Sequence, residues 1–171
     1  PKLTSIHFSN CKNLESVNLT GCSALREIYS DTFSGCEALK EVNLTGCSEL
    51  KELQVYNNNG VFRDLKALEK VNFTGCSALT KIDYNAFKGC VALKEVNLTG
   101  CSELTSINLG GSGIKSIDLT PCTKLTSIYF SDCKNLESVN LTGCSALTQI
   151  GYDAFNGCEA LKEVNLTGCS E

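Results

Sequence analysis

Five copies of Asn-Leu-Thr-Gly-Cys stand at 18–22, 43–47, 97–101, 140–144 and 165–169. Two variants, Asn-Phe-Thr-Gly-Cys at 72–76 and Asp-Leu-Thr-Pro-Cys at 118–122, fill the gaps, so one phrase recurs seven times along the chain. A repeating unit of about 20–29 residues cannot bury its own apolar face and is stable only when stacked on its neighbours. The chain is therefore expected to be a solenoid of near-identical turns with a long surface, a single domain of about seven turns over residues 1–171, and not a globule around one pocket.

The rest of the composition excludes several partners. The formal net charge is −4 with a pI near 5.1, whereas nucleic acid calls for a basic stripe. Lys and Glu are mixed along the chain, without a polybasic patch for an anionic membrane surface. No apolar run reaches the ~18 residues needed for a transmembrane segment. There is no Met, and residue 1 is Pro, which suggests a processed chain, a fragment or an engineered array of consensus repeats.

Twelve cysteines would ordinarily signal a disulfide framework or zinc. Here there is no Cys-x-x-Cys pair and His7 is the sole histidine, so no metal ligand set and no cofactor are expected. The cysteines follow the repeat instead. Cys22, Cys47, Cys76, Cys101, Cys122, Cys144 and Cys169 share one register. Cys11, Cys36, Cys90, Cys133 and Cys158 share a second, which precedes the first by a constant step, as Cys36 precedes Cys47. Recurring beside Leu, Val and Ile, they read as small buried hydrophobes with free thiols.

Aligned on the phrase, each repeat contains Leu-x-x-Val-Asn-Leu-Thr-Gly-Cys. Residues two apart in an extended strand share a face, so Val42 and Leu44 point inward while Glu41, Asn43 and Thr45 point out. The intervening half-turn varies in length. It is long at 147–158, short at 125–133, shortest and Gly-rich at 104–113, and carries an insertion around Tyr56–Gly60.

Leu-x-x-Leu-x-Leu-x-x-Cys/Asn is the strand signature of leucine-rich repeats. The stretch Ile-Gly-Tyr-Asp-Ala-Phe-Asn-Gly-Cys at 150–158 resembles the surface-protein type known as BspA-like, and the resemblance spans essentially the whole chain. It implies an α/β-type repeat solenoid: a right-handed superhelix with a parallel β-sheet on its concave face and short irregular or helical turns on the convex side. It also implies a non-catalytic protein of the cell surface or extracellular space that acts in adhesion, with a protein or glycan ligand. Departures are the Asn in nearly every strand and Pro121 where other copies have Gly.

A longer period overlies the short one. Residues 2–49 and 124–171 align without a gap, 122 residues apart, and differ at 8 of 48 positions, beginning with His7 against Tyr129. Five turns make one such unit. Both ends lack a polar cap, which fits either a piece of a longer array or a fibre subunit that stacks end to end on copies of itself.

The candidate binding residues are the outward row Asn18/Thr20, Asn43/Thr45, Asn72/Thr74, Asn97/Thr99, Asp118/Thr120, Asn140/Thr142 and Asn165/Thr167, and the loop residues Tyr56, Asn57 and Asn58. Strands ~4.8 Å apart turn that row into a grid of amides and hydroxyls. Three uses remain open for it: structural side-chain ladders between turns, a face for a polar repetitive ligand, or an ordered-water face. The triplets are also formal N-glycosylation sequons, although glycans on adjacent strands would collide. Lys40/Glu41, Lys94/Glu95 and Lys162/Glu163 read as solvated charge pairing, and Phe33, Phe87 and Phe155 as core fillers. No catalytic residue is assigned.

Overall fold

The computed structural model describes residues 2–53, 55–57 and 59–169. Twelve two- or three-residue strands occur in order: β1 (Ser16–Asn18), β2 (Glu27–Ile28), β3 (Glu41–Asn43), β4 (Glu52–Leu53), β5 (Lys70–Asn72), β6 (Lys81–Ile82), β7 (Glu95–Asn97), β8 (Ser106–Asn108), β9 (Ser116–Asp118), β10 (Ser127–Tyr129), β11 (Ser138–Asn140) and β12 (Glu163–Asn165). All strand pairing is parallel and in register between successive turns, Val42 opposite Val17 and Val71, for example. The strands of each turn go alternately to two ladders. The first holds β1, β3, β5 and β7, then β9, β11 and β12; the second holds β2, β4, β6, β8 and β10.

The second ladder corrects the expectation of helical turns outside a single sheet. Among the described residues there is no helix. The reason lies in the pattern itself: both half-turns read Leu-x-x-Val/Ile with a β-branched residue at the centre, which favours a strand. Where the half-turn is short, the stretch between its apolar corners leaves no room for a helix with a 3.6-period face. The parallel solenoid of the leucine-rich repeat type stands; its second side is a sheet.

The core lies between the ladders. Val42, Leu44, Cys47 and Leu50 from one half-turn and Ile28, Phe33, Cys36 and Leu39 from the other are fully buried, which bears out the inward assignment of Val42 and Leu44. Phe8, Phe33, Phe62 and Phe87 form a continuous stack with centroids 5.0 to 5.9 Å apart, and Phe130 stacks on Phe155 at 5.8 Å. Leu109 stands at the register between them, so the shortest turn also breaks the aromatic stack. Phe155 itself is only partly buried.

Each corner is two successive four-residue turns. In the first, Cys22 N–H donates to Leu19 O and Leu25 N–H to Cys22 O, both at 3.0 Å. The residue before each corner cysteine except Cys122, which follows Pro121, sits in the left-handed region, as Gly75 does at φ 74°. A side chain there would be strained, and here the next glycine stacks directly on it, with a Cβ on Gly100 meeting Gly75 N at 3.3 Å.

The first ladder has one seam. Leu44 N–H donates to Asn72 O and Gly46 N–H to Thr74 O, both at 2.8 Å, and the equivalent bonds recur at most steps. Between β7 and β9 no strand pairing forms, and Leu98 and Gly100 make no such bond among the described residues. Two sequence features account for this. The half-turn 104–113 is one residue short at its corner, which presses Gly113 so close to Val91 that a Cβ would lie 2.1 Å from Val91 O. Pro121 also replaces the glycine, and its ring keeps that corner out of the left-handed conformation that Gly75 and Gly100 adopt, so the corner stacked on Gly100 departs from its neighbours. The result is a cleft of about 240 Å³ flanked by Asn97, Thr99, Asp118 and Pro121. Amide hydrogen exchange is expected to be roughly tenfold or more faster at Leu98 and Gly100 than at Leu44 and Gly46, because an amide without a partner needs no opening event; equal protection would mean that the ladder is continuous in solution.

Candidate functional site

On the first ladder the Asn and Thr side chains bond to each other within a turn, not to their equals on the next. Asn43 Oδ1 accepts from Thr45 N–H at 3.0 Å and from Thr45 Oγ1–H at 2.7 Å. Asn18, Asn72 and Asn140 do the same with Thr20, Thr74 and Thr142, while Asn97, Asp118 and Asn165 take the backbone bond alone from Thr99, Thr120 and Thr167. Each side chain thereby closes the bend that leads out of its strand, the usual local use of Asn and Asp. This corrects the inter-turn side-chain ladder as one of the three open uses: two residues on the same strand are nearer in sequence and already preset by the bend. In the four turns with both bonds the carboxamide oxygen and the hydroxyl hydrogen are occupied, and the amide NH2 remains for an outside contact.

The loop candidates lie elsewhere. Tyr56 is well exposed and bridges antiparallel to Asn59, Asn57 takes the left-handed conformation at φ 50°, and Asn58 lies outside the described residues. Arg63 holds the loop by donating from Nη1 to Asn59 Oδ1 at 3.3 Å. The structure therefore does not bring Tyr56 and the Asn/Thr row together: the loop follows β4 of the second ladder, and the row belongs to the first.

Sequence reasoning passed over the second ladder's outer face. All five tyrosines of the chain, Tyr29, Tyr56, Tyr84, Tyr129 and Tyr152, are exposed and all belong to this half of the repeat. The signal was present as an aromatic at the outward position beside the buried Ile28 and Ile128. It was overlooked because that half-turn was expected to be irregular. All the variation in repeat length is here too. From one corner leucine or isoleucine to the next, the first half never changes length, as 14–25 and 136–147 show. The second half ranges from 104–114 at its shortest to 50–68 at its longest.

Charges line both ladders as cross-turn pairs. Lys40, Lys94 and Lys162 reach Glu15, Glu69 and Glu137 at 2.8, 2.6 and 2.7 Å. The lysine beside each of these glutamates, through its hydrogen bond and charge, holds the carboxyl below its usual range. Exposed pairs of this kind set register more than stability. His7 has a partner in Ser9, whose Oγ lies 2.8 Å from Nε2. Among the described residues no three His, Cys, Asp or Glu side chains gather as a metal site, and no helix is long and apolar enough to cross a membrane.

All twelve cysteines are free. Nine are buried and Cys158 and Cys169 partly so, but Cys11, in the first turn, is exposed, against the expectation of burial. Most of the thiols donate across turns to the carbonyl that closes the corner below, as Cys47 Sγ does to Leu19 O at 3.4 Å and Cys90 Sγ to Phe62 O at 2.8 Å. Burial pushes Cys47 and Cys144 up to about 11 and Cys90, Cys101 and Cys122 up to about 12.

These features define a two-ladder β-solenoid with polar and aromatic side chains arrayed along its faces. The chain matches the BspA type leucine rich repeat region, in 6 copies, over residues 2–75 and 56–170, and it belongs to that family. Among solved structures it is similar to a leucine-rich repeat protein from Bacteroides ovatus ATCC 8483, at 21% identity and a TM-score of 0.36 over 95% of this chain and 64% of that one. It is also similar to the T. pallidum leucine-rich repeat protein, at 17% identity and a TM-score of 0.37 over 95% and 79%. A third is the functional domain of InlJ from Listeria monocytogenes, described as including a cysteine ladder, at 17% identity and a TM-score of 0.36 over 94% and 36%. The chain thus spans less than two thirds of the Bacteroides and Listeria proteins. No curated protein matches it.

Two expectations follow from the ladders. Asn72→Ala removes an acceptor of two turn bonds and should destabilise by about 1–3 kcal/mol in equilibrium unfolding, while Asn72→Asp should restore most of this, because Asp118 already makes the backbone bond at the same register. Equal stability of Asn72→Ala and the parent would make the row free for ligands. The second expectation concerns pH. An unfolded thiol titrates near about 8.5, and the raised values in the fold mean that the unfolded chain loses its thiol protons first. Stability from this source is complete below that pH and falls as pH rises toward 11–12. Circular dichroism melts should drop across this window, less steeply in Cys101→Val; a slope unchanged by that substitution would remove the thiols as its cause.

Proposed function

We propose that this protein is a non-catalytic interaction scaffold of the cell surface or extracellular space, and that it holds its ligand on the outer face of the second ladder. The observation that carries this reading is the concentration of all five exposed tyrosines on that side. Tyr offers a large, stiff contact with few rotors to freeze and a hydroxyl for one directed bond, which is why it is enriched at binding surfaces. Variation in half-turn length adds relief to the same face, so that successive turns differ in shape. Tyr56 and Asn57 join this face through the 56–60 loop.

The Asn/Thr row is the weaker candidate. Its carboxamide and carboxylate oxygens accept turn bonds, four of its seven hydroxyls are also committed to them, and its uniformity offers no anchor at which affinity could concentrate. Membership of the BspA-type family fits a binding role.

The test is a panel of extracellular-matrix proteins and surface polysaccharides, read by biolayer interferometry. Three proteins are compared: the parent, a variant with Tyr29, Tyr84, Tyr129 and Tyr152 changed to Ser, and a first-face variant with Glu41, Glu95 and Glu163 changed to Ala. Loss of at least tenfold in affinity in the tyrosine variant alone supports the reading. Loss in the first-face variant alone would move the site to the Asn/Thr row, and no binding by the parent to any member of the panel would sink the scaffold role.

A further inference from the structure

The second ladder carries a recess of about 670 Å³, against about 280 Å³ for the hollow beside residues 59–65. Its size is that of a small-molecule site. We propose that this recess, walled by Tyr84 and Tyr129, binds a neutral sugar, two or so rings of a glycan chain lying along the solenoid axis. The proposal rests on the scaffold reading and names its ligand class.

Half-turn lengths explain why a recess forms here. Its floor is β8, whose half-turn is the shortest in the chain and turns away at once through Gly110 and Gly111. The half-turns on either side of this stretch are longer: residues 83–87 carry Tyr84 on one flank, and residues 151–155 carry Asp153 on the other. Three strands supply the outward side chains. Lys81, Ser106 and Ser127 share one register, and Asn108 lies opposite Tyr129 at another, two residues along. Asn108 Oδ1 accepts from Gly110 N–H at 2.9 Å, which fixes the carboxamide and leaves its NH2 as a donor.

A pyranose has an apolar C–H face and a rim of hydroxyls. The recess offers the complement: half-exposed phenol rings for the face, and carboxylates, hydroxyls and an amide for the rim. Strands ~4.8 Å apart step at close to the length of one sugar ring, so groups repeated on successive turns can meet groups repeated on successive rings. Asp83 and Asp153 against the single Lys81 give the recess a negative balance that disfavours uronic, sialic and sulfated sugars.

The duplicated half of the chain supplies an internal control. Position 151 is Gly and its counterpart in the first copy of the longer unit is Tyr29. Tyr29 occupies the equivalent place and donates its hydroxyl to Glu27 Oε2 at 2.8 Å, so the ring is tied down. At Gly151 a Cβ would lie 4.0 Å from Tyr129 Cε1. The missing side chain is what leaves the edge of the Tyr129 ring open. Gly151 is not in the left-handed region, so a larger residue is conformationally admissible.

The experiment is affinity electrophoresis in gels containing laminarin, hydroxyethylcellulose, arabinoxylan, galactomannan or polygalacturonate. Calorimetry with hexasaccharides from whichever polymer retards the protein follows. At least one neutral polymer should retard the parent and polygalacturonate should not. Tyr129→Ala should weaken hexasaccharide binding at least tenfold. Gly151→Tyr, which removes no contacting group and copies a residue the fold already accepts, should do the same by filling the recess. Lys12→Ala, at an exposed position outside the recess, should bind as the parent does. The proposal is overturned by the absence of retardation in every neutral gel, by parent-like binding in both Tyr129→Ala and Gly151→Tyr, or by preference for polygalacturonate. A protein ligand lost in the four-tyrosine variant, with no sugar bound, would leave the scaffold standing and remove only the sugar site; parent-like binding of every ligand by that variant would remove both.

Discussion

Everything in this molecule depends on holding each turn one strand spacing above the last, and the corner is where that is enforced. The carbonyl of Leu19 accepts from its own Cys22 N–H and from the thiol of Cys47 on the next turn, so both lone pairs are used. A buried carbonyl with one partner missing would cost about 1–3 kcal/mol, and the motif recurs at almost every turn. Cysteine suits the position because it is the smallest side chain that is apolar enough to pack among leucines and still donates weakly. The second register lacks a cysteine at Leu65 and Ser112; Leu65 is buried in the core, and Ser112 Oγ lies 3.7 Å from Cys133 Sγ on the next turn.

A lattice this regular leaves little freedom inside it. The first half-turn keeps one length throughout and its outer face is accordingly uniform: Asn accepts, Thr donates, Gly bends. The second half-turn can lengthen or shorten because its ends are pinned at the same corners while the chain between them runs outside the core. Variation therefore appears as relief on one face. The 104–113 turn illustrates both consequences of a single shortening. On the second ladder it leaves a recess; on the first it pulls β9 away from β7 and opens the seam, since the deletion of one residue cannot be absorbed by corners already at van der Waals contact, as Gly113 against Val91 shows.

Much of this was legible in the residues. The period, the inward Val and Leu, the buried free thiols and the cross-turn charge pairs all follow from identical phrases at fixed spacing, because repetition in sequence forces repetition in space. What could not be read was the structure between the phrases. A stretch such as Ile-Tyr-Ser-Asp-Thr-Phe at 28–33 has one strand-like residue pair and then a turn, which is too short for a periodicity to declare itself. Its strand exists only because the turn above offers a ladder to join. The use of the Asn/Thr row was open for a different reason: an outward polar side chain is equally compatible with a ligand, a neighbour or its own backbone, and only the structure shows each Asn or Asp accepting from the nearest backbone N–H.

The same reasoning bears on where specificity can reside in such a protein. A face built from one phrase repeated offers the same contact at each step, so a partner could slide by one turn at little cost, much as a strand without distinctive side chains slips in register. Distinct positions arise only where the repeat departs from itself. Along this chain those departures are the 56–60 insertion, the shortened 104–113 turn and the Tyr29/Gly151 exchange between the two copies of the longer unit, and all three lie on the tyrosine side. Regularity gives the scaffold its stability, and its few irregular turns are the places that a ligand can tell apart.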